Sequence, residues 1–290
     1  MTIQTFFQDM LSSQELDSDQ LNNLKRYREE VEKFIRENFG EEPIIRYAGS
    51  KAKGTMIAES YDLDIICYFP HDNEMTLKEL HDEVERVLSL HYLIERKASA
   101  IRIKKKENGV EKDYHIDVVP GKFIEGNSGD AFLHIVYGEK ERMQTNIDTH
   151  ISYITKSKFQ DIIKLLKLWK VRNNILPLKT FVLEIFTVKT LNESIKNSNL
   201  SDQLKEIFLC LRDQIKNIRL EDPANSNNIV TNALTAVEKN IISSKANDSL
   251  TILKDNKDEL SAWQKIFDEE NINKSLGNNV ISNPSNPWCQ

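Results

Sequence analysis

Two aspartates, Asp62 and Asp64, stand one residue apart in a segment whose other residues are mostly apolar. The alternation from Tyr61 to Phe69 predicts a β-strand, in which both carboxylates project to one face and Leu63 and Ile65 to the other. Like charges on one strand face repel each other, and the pair becomes favourable when a hard cation lies between them. The spacing therefore indicates a magnesium site, although a solvent-facing acidic strand end has the same pattern.

A third carboxylate, Asp117, lies in another strand-like segment, which runs from Glu111 to Val119. Its neighbours Ile116 and Val118 are apolar, and the alternation places Asp117 on the opposite face, in apolar surroundings. A buried carboxylate without a partner costs several kcal/mol. Asp117 is therefore either hydrogen-bonded for structural reasons or bound to a cation.

A short polar loop precedes the aspartate pair and directly follows a predicted strand. It begins with Gly49-Ser50 and extends to Gly54. Small residues let backbone N–H groups approach an anion, and the Ser50 hydroxyl adds a donor. The spacing differs from that of a Walker A loop, so the segment indicates an anion site only in combination with the aspartates.

The elements that must position these residues follow from the spacing of apolar side chains. This spacing predicts helices from Ser18 to Phe39 and from Thr76 to Leu90, and a strand from Ile44 to Ala48. Asn108-Gly109, between two strand-like segments, predicts a hairpin. Beyond about Asp148 the pattern is helical throughout, with little strand signal.

These elements predict an α+β fold with two lobes. Residues 1–148 form a lobe of mixed strands and helices that includes an N-terminal helix, and residues 149–275 form a helical lobe. The Asn- and Ser-rich residues 276–290 are expected to be a flexible tail. A cleft between two such lobes is the usual place for a binding site.

The composition excludes several classes of protein. Of the 290 residues, 39% are hydrophobic and 29% are charged, which is typical of a globular chain rather than a disordered one. The absence of a long apolar run predicts a cytoplasmic protein that does not bind membranes. The net charge of -6 argues against extensive non-specific binding to nucleic acid. The three cysteines lie far apart, which indicates neither a disulfide framework nor a zinc site.

Taken together, Gly49-Ser50, Asp62-x-Asp64 and Asp117 resemble the signature of polymerase-beta-type nucleotidyltransferases in order, spacing and strand context. Within that superfamily the chain resembles the bacterial cGAS/DncV-like nucleotidyltransferases (CD-NTases), over roughly residues 47–191. The resemblance implies a polymerase-beta-like nucleotidyltransferase lobe followed by a helical lobe. It also implies two magnesium ions, with manganese as an alternative, held by Asp62, Asp64 and Asp117.

The resemblance extends to two less specific segments in the helical half. The helix around Lys167-Leu168-Trp169 is similar to the family's lysine-x-aromatic helix, and Thr180-Phe181 with Glu184 is similar to its Ser-Tyr-x-x-x-Glu segment. By resemblance, Lys167 contacts the donor triphosphate, Thr180 bonds phosphate and Phe181 stacks on the base. On spacing alone, the same residues fit a helix core and a solvated lysine stripe.

The function implied is a metal-dependent nucleotidyltransferase with nucleoside triphosphates as substrates. The resemblance implies cyclic or linear oligonucleotide second messengers that act on a downstream effector in antiphage defence, with pyrophosphate released. Two alternatives stay open. In the first, the enzyme transfers a nucleotide to a protein, an RNA end or a small hydroxylated molecule. In the second, the chain is an inactive nucleotidyltransferase-fold binding protein or antitoxin, which the intact aspartates disfavour.

Overall fold

The structure is a computed structural model that describes residues 1–104, 106–107, 110–111, 115–126, 129–137, 140–193, 199–257 and 259–268. The turn predicted at Asn108-Gly109 and the tail predicted for residues 276–290 lie outside the described residues. Within the described ranges, the chain forms a mixed sheet followed by a largely helical half. The predicted α+β fold class is confirmed.

The helices have conventional ends set by local sequence. The second begins at Ser18, where the Asp17 side chain accepts from the backbone of Gln20 and the Gln20 side chain bonds back to Asp17. It ends at Phe39 before Gly40, which has a φ of 63°. These are the bounds predicted from the sequence. The helices are α1 Ile3–Ser13, α2 Ser18–Phe39, α3 Gly49–Lys53, α4 Leu77–Ser89, α5 Ile147–Ser157, α6 Gln160–Arg172, α7 Thr180–Glu193, α8 Leu200–Gln214, α9 Ala236–Asp255 and α10 Leu260–Ile266.

The strands are concentrated in the first half and are joined mainly into one sheet. They are β1 Ile44–Tyr47, β2 Leu63–Phe69, β3 Leu93–Arg96, β4 Ile101–Lys104, β5 Lys106–Glu107, β6 Val110–Glu111, β7 Ile116–Phe123, β8 Asp130–His134, β9 Arg142–Asn146, β10 Glu221–Asp222 and β11 Asn225–Ile229. The central order of the main sheet is β1-β2-β7-β4-β3, with β8 paired to β7 and β9 paired to β8, and β10 with β11 forms a separate hairpin.

The two faces of the central sheet differ in what they carry. On one face, Leu63, Ile65 and Cys67 of β2 pack with residues of α2 and α4 in a hydrophobic core. The other face carries Asp64, followed along the same strand by the buried Ile66. The alternation predicted for this strand therefore holds, and it brings the acidic face towards the side opposite α2 and α4.

Two segments differ from their predicted structure. The stretch after β1, predicted as a loop, is the short helix α3, because Gly49 takes a φ of 53° and the backbone of Ala52 then bonds Ala48. The second half, predicted to be helical throughout, contains the β10–β11 hairpin. A short 3-10 helix follows it at Val230–Ala233. Ile229, Val230 and Ala233 have the spacing of a helix. The local structure is determined instead by the pairing of β11 with β10.

The helical half has its own core, built around Trp169, Phe186 and Phe208. The first helix contributes to it, since Phe7 contacts Trp263 edge to face at 5.1 Å. The division predicted at residue 148 stays a prediction, and α1 packs against the second half rather than the sheet. Among the described residues, no helix combines the length and apolar character needed to cross a membrane.

Buried His81 on α4 gives the stability of the fold a defined dependence on pH. Neither ring nitrogen has a hydrogen-bond partner among the described residues. Burial, and then the charge of His134, lower the pKa of His81 from 6.5 to about 4. Between pH 6.5 and about 4, His81 is therefore protonated in the unfolded chain but neutral in the folded chain. The free energy of unfolding is unaffected by His81 above pH 6.5 and decreases as the pH falls towards 4.

We expect the wild-type protein to lose about 2 kcal/mol more stability between pH 7.5 and pH 5 than the variant His81→Leu. Urea unfolding at both pH values measures the difference. His71→Gln, which changes an exposed histidine of the same half, should behave as the wild type does. Equal losses in the wild type and His81→Leu would contradict the assignment of the acid sensitivity to His81.

Candidate functional site

The sheet brings two of the three predicted carboxylates together. Strands β2 and β7 are parallel, and their register pairs Asp64 with Asp117. The two residues are 1% and 0% exposed, respectively. Asp62 lies just before β2 rather than inside it. Burial, and then the charge of Asp117, raise the pKa of Asp62, so the third carboxylate lies in the same electrostatic environment.

A residue that the sequence reasoning missed, Arg102, pairs with Asp117 from the other side. The register of β4 with β7 places Arg102 opposite Asp117. Its Nε donates to Oδ1 at 2.7 Å and its Nη2 to Oδ2 at 2.8 Å, with both side chains fully buried. The apolar pattern of β4 contained the signal, because Arg102 interrupts the run Ile101 to Ile103.

The carboxylates fit a divalent cation in donor type, but the structure contains no assembled cage. Among the described residues, no three His, Cys, Asp or Glu side chains lie close enough together, as they stand, to hold a metal ion. Oxygen ligands of this kind suit Mg²⁺ and Mn²⁺. Arg102 takes two acceptor positions of Asp117 and offsets part of its charge. Metal binding by Asp62, Asp64 and Asp117 stays a prediction.

Gly49 lies against Asp64 so closely that no other residue fits in this conformation. A Cβ atom on Gly49 would stand 1.6 Å from Oδ2 of Asp64, and Gly49 has a φ of 53°. The backbone N–H of Ala48 also donates to the carbonyl of Asp64 at 2.9 Å. The predicted Gly49-Ser50 segment therefore lies beside the carboxylates, with Ser50 half-buried in the first turn of α3.

The predicted phosphate ligand Lys167 lies in a buried network of charges. Its Nζ donates to the carbonyl and hydroxyl of Thr55 at 3.0 and 2.9 Å and pairs with Oε1 of Glu184 at 3.0 Å. The other carboxylate oxygen, Oε2, accepts from Lys53 at 2.7 Å. The two ammonium groups hold the pKa of Glu184 at about 2 despite its burial. The Lys167 ammonium therefore already has three oxygen partners within the protein. Its contact with a triphosphate stays a prediction.

A further lysine, Lys170, which the sequence reasoning did not assign to the site, interacts with the Asp62 carboxylate. Lys170 is buried at 6% exposure. Burial, then the charges of Lys167 and Lys179, lower its pKa to about 8, whereas the charge of Asp62 opposes the shift. Lys170 and Lys167 are therefore not part of a solvated stripe on α6. This concentration of positive charge beside Asp62 suits an anion with several charges.

Thr180 and Phe181 begin α7, and Phe181 is buried between two polar side chains. The Lys53 ammonium lies 5.1 Å from its ring centre. The His150 ring contacts it edge to face at 4.9 Å. Phe181 also lines a cavity of about 210 Å³ with Lys179 and residues of the β10–β11 hairpin. Stacking on a base stays a prediction that this cavity accommodates.

The hairpin supplies polar groups that the sequence reasoning also missed. His150 Nε2 lies 2.5 Å from Oδ1 of Asp222, and Asn228 donates to Oδ2 at 3.0 Å. Because a carboxylate only accepts, the Asn228 nitrogen must face Asp222 and its amide oxygen lies on the other side of the group. Asp222 and Asn228 both line the cavity beside Phe181. The Asn-rich run 225–228 was the available signal, and it resembles an ordinary turn.

The fold itself is that of known nucleotidyltransferases. No family model and no curated protein matches the chain. Solved structures do: CdnC from E. coli MS115-1 with ATP (19% identity, TM-score 0.68, 91% of this chain and 96% of that chain), and the CD-NTase CdnG from Bradyrhizobium diazoefficiens with GTP (12%, 0.72, 93% and 97%). The Cid1 poly(U) polymerase with Mg and 3'-dATP is also similar (12%, 0.67, 92% and 98%). The predicted resemblance to CD-NTases and polymerase-beta-like enzymes is confirmed for the fold.

Lys170→Met should weaken the binding of inorganic triphosphate by about tenfold or more, because a hydrogen bond to a charged group contributes about 1.5–3 kcal/mol. Isothermal titration of the apo protein with triphosphate measures the effect. Lys164→Met changes a half-exposed lysine of the same helix and serves as the matched control. Equal affinities for both variants and the wild type would show that Lys170 does not face the anion.

Glu184→Gln should destabilise the protein by about 3–5 kcal/mol, since it leaves two buried ammonium groups without their counter-charge. Chemical denaturation at pH 7.5 measures the loss. The double variant Glu184→Gln with Lys53→Met removes one of the two cations and should recover part of it. A loss below about 1 kcal/mol, typical of a surface ion pair, would contradict the buried network.

Proposed function

We propose that this protein is a metal-dependent nucleotidyltransferase that joins nucleoside triphosphates into oligonucleotides and releases pyrophosphate. The observation that carries the proposal is the register of β2 and β7, which pairs buried Asp64 with buried Asp117. Asp62 interacts electrostatically with Asp117 and with Lys170. Phosphoryl transfer requires carboxylates that bind metal ions and, beside them, positively charged side chains that bind phosphates.

The proposed reaction is a displacement at phosphorus. The oxygen of an acceptor ribose hydroxyl attacks the α-phosphorus, the bond from that phosphorus to the bridging oxygen breaks, and pyrophosphate leaves. The hydroxyl proton passes to a carboxylate, for which we propose Asp117. Two divalent cations, when bound at Asp62, Asp64 and Asp117, supply activation of the hydroxyl and neutralisation of the leaving group. Ser50, Lys170 and Lys179 add donors and positive charge for the phosphates, so the protein chiefly positions and neutralises.

The nucleobase is proposed to occupy the cavity of about 210 Å³ beside Phe181. One ring face would stack on the phenyl group. The Asn228 amide, oriented by its bond to Asp222, would present its oxygen as an acceptor for an N–H group at the base edge. The cavity volume and its mixture of one aromatic and several polar side chains support this assignment.

We further propose that the products are cyclic or linear second messengers that act on an effector in antiphage defence. The support is the likeness of the fold to the CD-NTases, whose solved structures include complexes with ATP and GTP. Transfer to an RNA end is the second candidate, supported by the likeness to the Cid1 poly(U) polymerase. The net charge of -6 counts against RNA.

The deciding experiment incubates the purified protein with the four ribonucleoside triphosphates, or the deoxy forms, and magnesium or manganese. Phosphatase-treated products are resolved by chromatography and mass spectrometry. Phosphatase-resistant oligonucleotides support second-messenger synthesis, whereas extension of an added RNA supports the second candidate. Absence of any product with all these substrates and both metals would contradict the proposed activity.

The double variant Asp62→Asn with Asp64→Asn should lower pyrophosphate release by at least about 100-fold, because the neutral amides remove two negative charges that would hold the divalent cations. Circular dichroism should show that the fold is retained. Asp72→Asn, which changes an exposed aspartate of the same lobe, is the matched control. Turnover by the double variant at the wild-type rate would refute the role of these carboxylates.

A further inference from the structure

A single row of charged side chains crosses the sheet at the candidate site. The pairing registers place Asp64 beside Asp117, Asp117 beside Arg102, and Arg102 beside Glu95. Residues paired in this way project to the same face of a sheet. The row therefore begins with two adjacent carboxylates, continues with a guanidinium and ends with a carboxylate on the edge strand β3.

Within this row, Arg102 is hydrogen-bonded to Asp117. Its guanidinium donates two hydrogen bonds to the Asp117 carboxylate, of 2.7 and 2.8 Å, and both side chains are 0% exposed. The outer Glu95 side chain is 40% exposed and pairs with Lys97 and Lys104. A forked contact between guanidinium and carboxylate fixes orientation as well as charge. Arg102 thus holds Asp117 in one orientation from the side opposite Asp64.

The charges explain why such a contact is needed. Two carboxylates that lie side by side in a buried sheet repel each other, and a buried charge without compensation is strongly destabilising. A divalent cation is one source of compensation. Arg102 is another, and it belongs to the chain itself. Because its positive charge lies against Asp117, Arg102 reduces the negative charge that the carboxylates present to a cation.

We propose that Arg102 is an internal counter-ion and positioning residue for Asp117, which keeps the carboxylate group ordered without metal and weakens its intrinsic affinity for a divalent cation. This inference rests on the proposed function only in taking Asp62, Asp64 and Asp117 as the cation ligands. A free cation then binds the empty protein weakly. Tight binding requires the added negative charge of a bound triphosphate, so cation and nucleotide enter together.

The test compares the wild type with Arg102→Gln in EDTA, in MgCl₂ and in MnCl₂, without nucleotide. The wild-type melting temperature should change little with the cation. Arg102→Gln should melt about 5 °C or more lower in EDTA, and MnCl₂ should restore most of that loss. Titration followed by electron paramagnetic resonance should show Mn²⁺ binding at least about tenfold tighter than in the wild type, because one nearby positive charge is gone.

Two further variants keep the test decisive. Arg102→Gln with Asp117→Asn removes both partners and should be stable in EDTA, with no response to Mn²⁺, even if the single variant fails to fold. Arg96→Gln removes an exposed arginine of β3 that pairs with Glu85, and it should match the wild type throughout.

Three results would overturn the proposal. These are an Arg102→Gln protein destabilised without rescue by Mn²⁺, one with unchanged Mn²⁺ affinity, and a double variant that does not fold. None of these measurements depends on turnover. A wild type that makes no product would therefore count against the proposed activity. The melting temperatures and Mn²⁺ affinities would still decide the role of Arg102.

Discussion

The parallel pairing of β2 with β7 is the constraint on which the rest of the site depends. It places two carboxylates from distant parts of the chain beside each other inside the protein. Their mutual repulsion must be compensated from every available direction. Arg102 approaches along the sheet, and the lysines of α6 approach from the helical half. The arrangement of positive groups around the sheet is thus a response to one strand register.

Part of the contact between the two halves of the chain is electrostatic. Lys53 and Thr55 come from the segment that follows β1, and Lys167 and Glu184 come from α6 and α7. All four are buried, so water cannot substitute easily for a lost partner. This network also fixes the position of Phe181, whose ring lies 5.1 Å from the Lys53 ammonium. The same charged side chains therefore hold α3, which lies against Asp64, and α7, which lines the cavity.

Local patterns in the sequence predicted much of the fold and part of the site. The bounds of α2 follow from its capping residues and from Gly40, and the faces of β2 follow from strict alternation. The fold class and the likeness to nucleotidyltransferases are confirmed by solved structures. In each case the signal lies within a few residues, or in a motif whose order along the chain is informative.

The features that were missed depend on partners far away in the sequence. Arg102 looks like a charge at a strand end until the register of β4 with β7 is known. Lys170 looks like part of a solvated stripe until α6 is packed among α1, α7 and α8. The β10–β11 hairpin has a polar Asn-rich sequence, and Asp222 acquires its importance from the His150 ring of α5. Tertiary pairing, rather than local propensity, determined all three.

The contact between Gly49 and Asp64 ties two positions of the chain to a common evolutionary fate. While Asp64 retains its carboxylate, any Cβ at position 49 overlaps Oδ2, so Gly49 cannot drift. If a lineage gave up the carboxylate, the overlap would vanish and only the left-handed backbone would still resist, at about 1–2 kcal/mol and least for Asn. Loss of Gly49 in a descendant would therefore record that its Asp64 had already been lost, and with it the carboxylate row across the sheet.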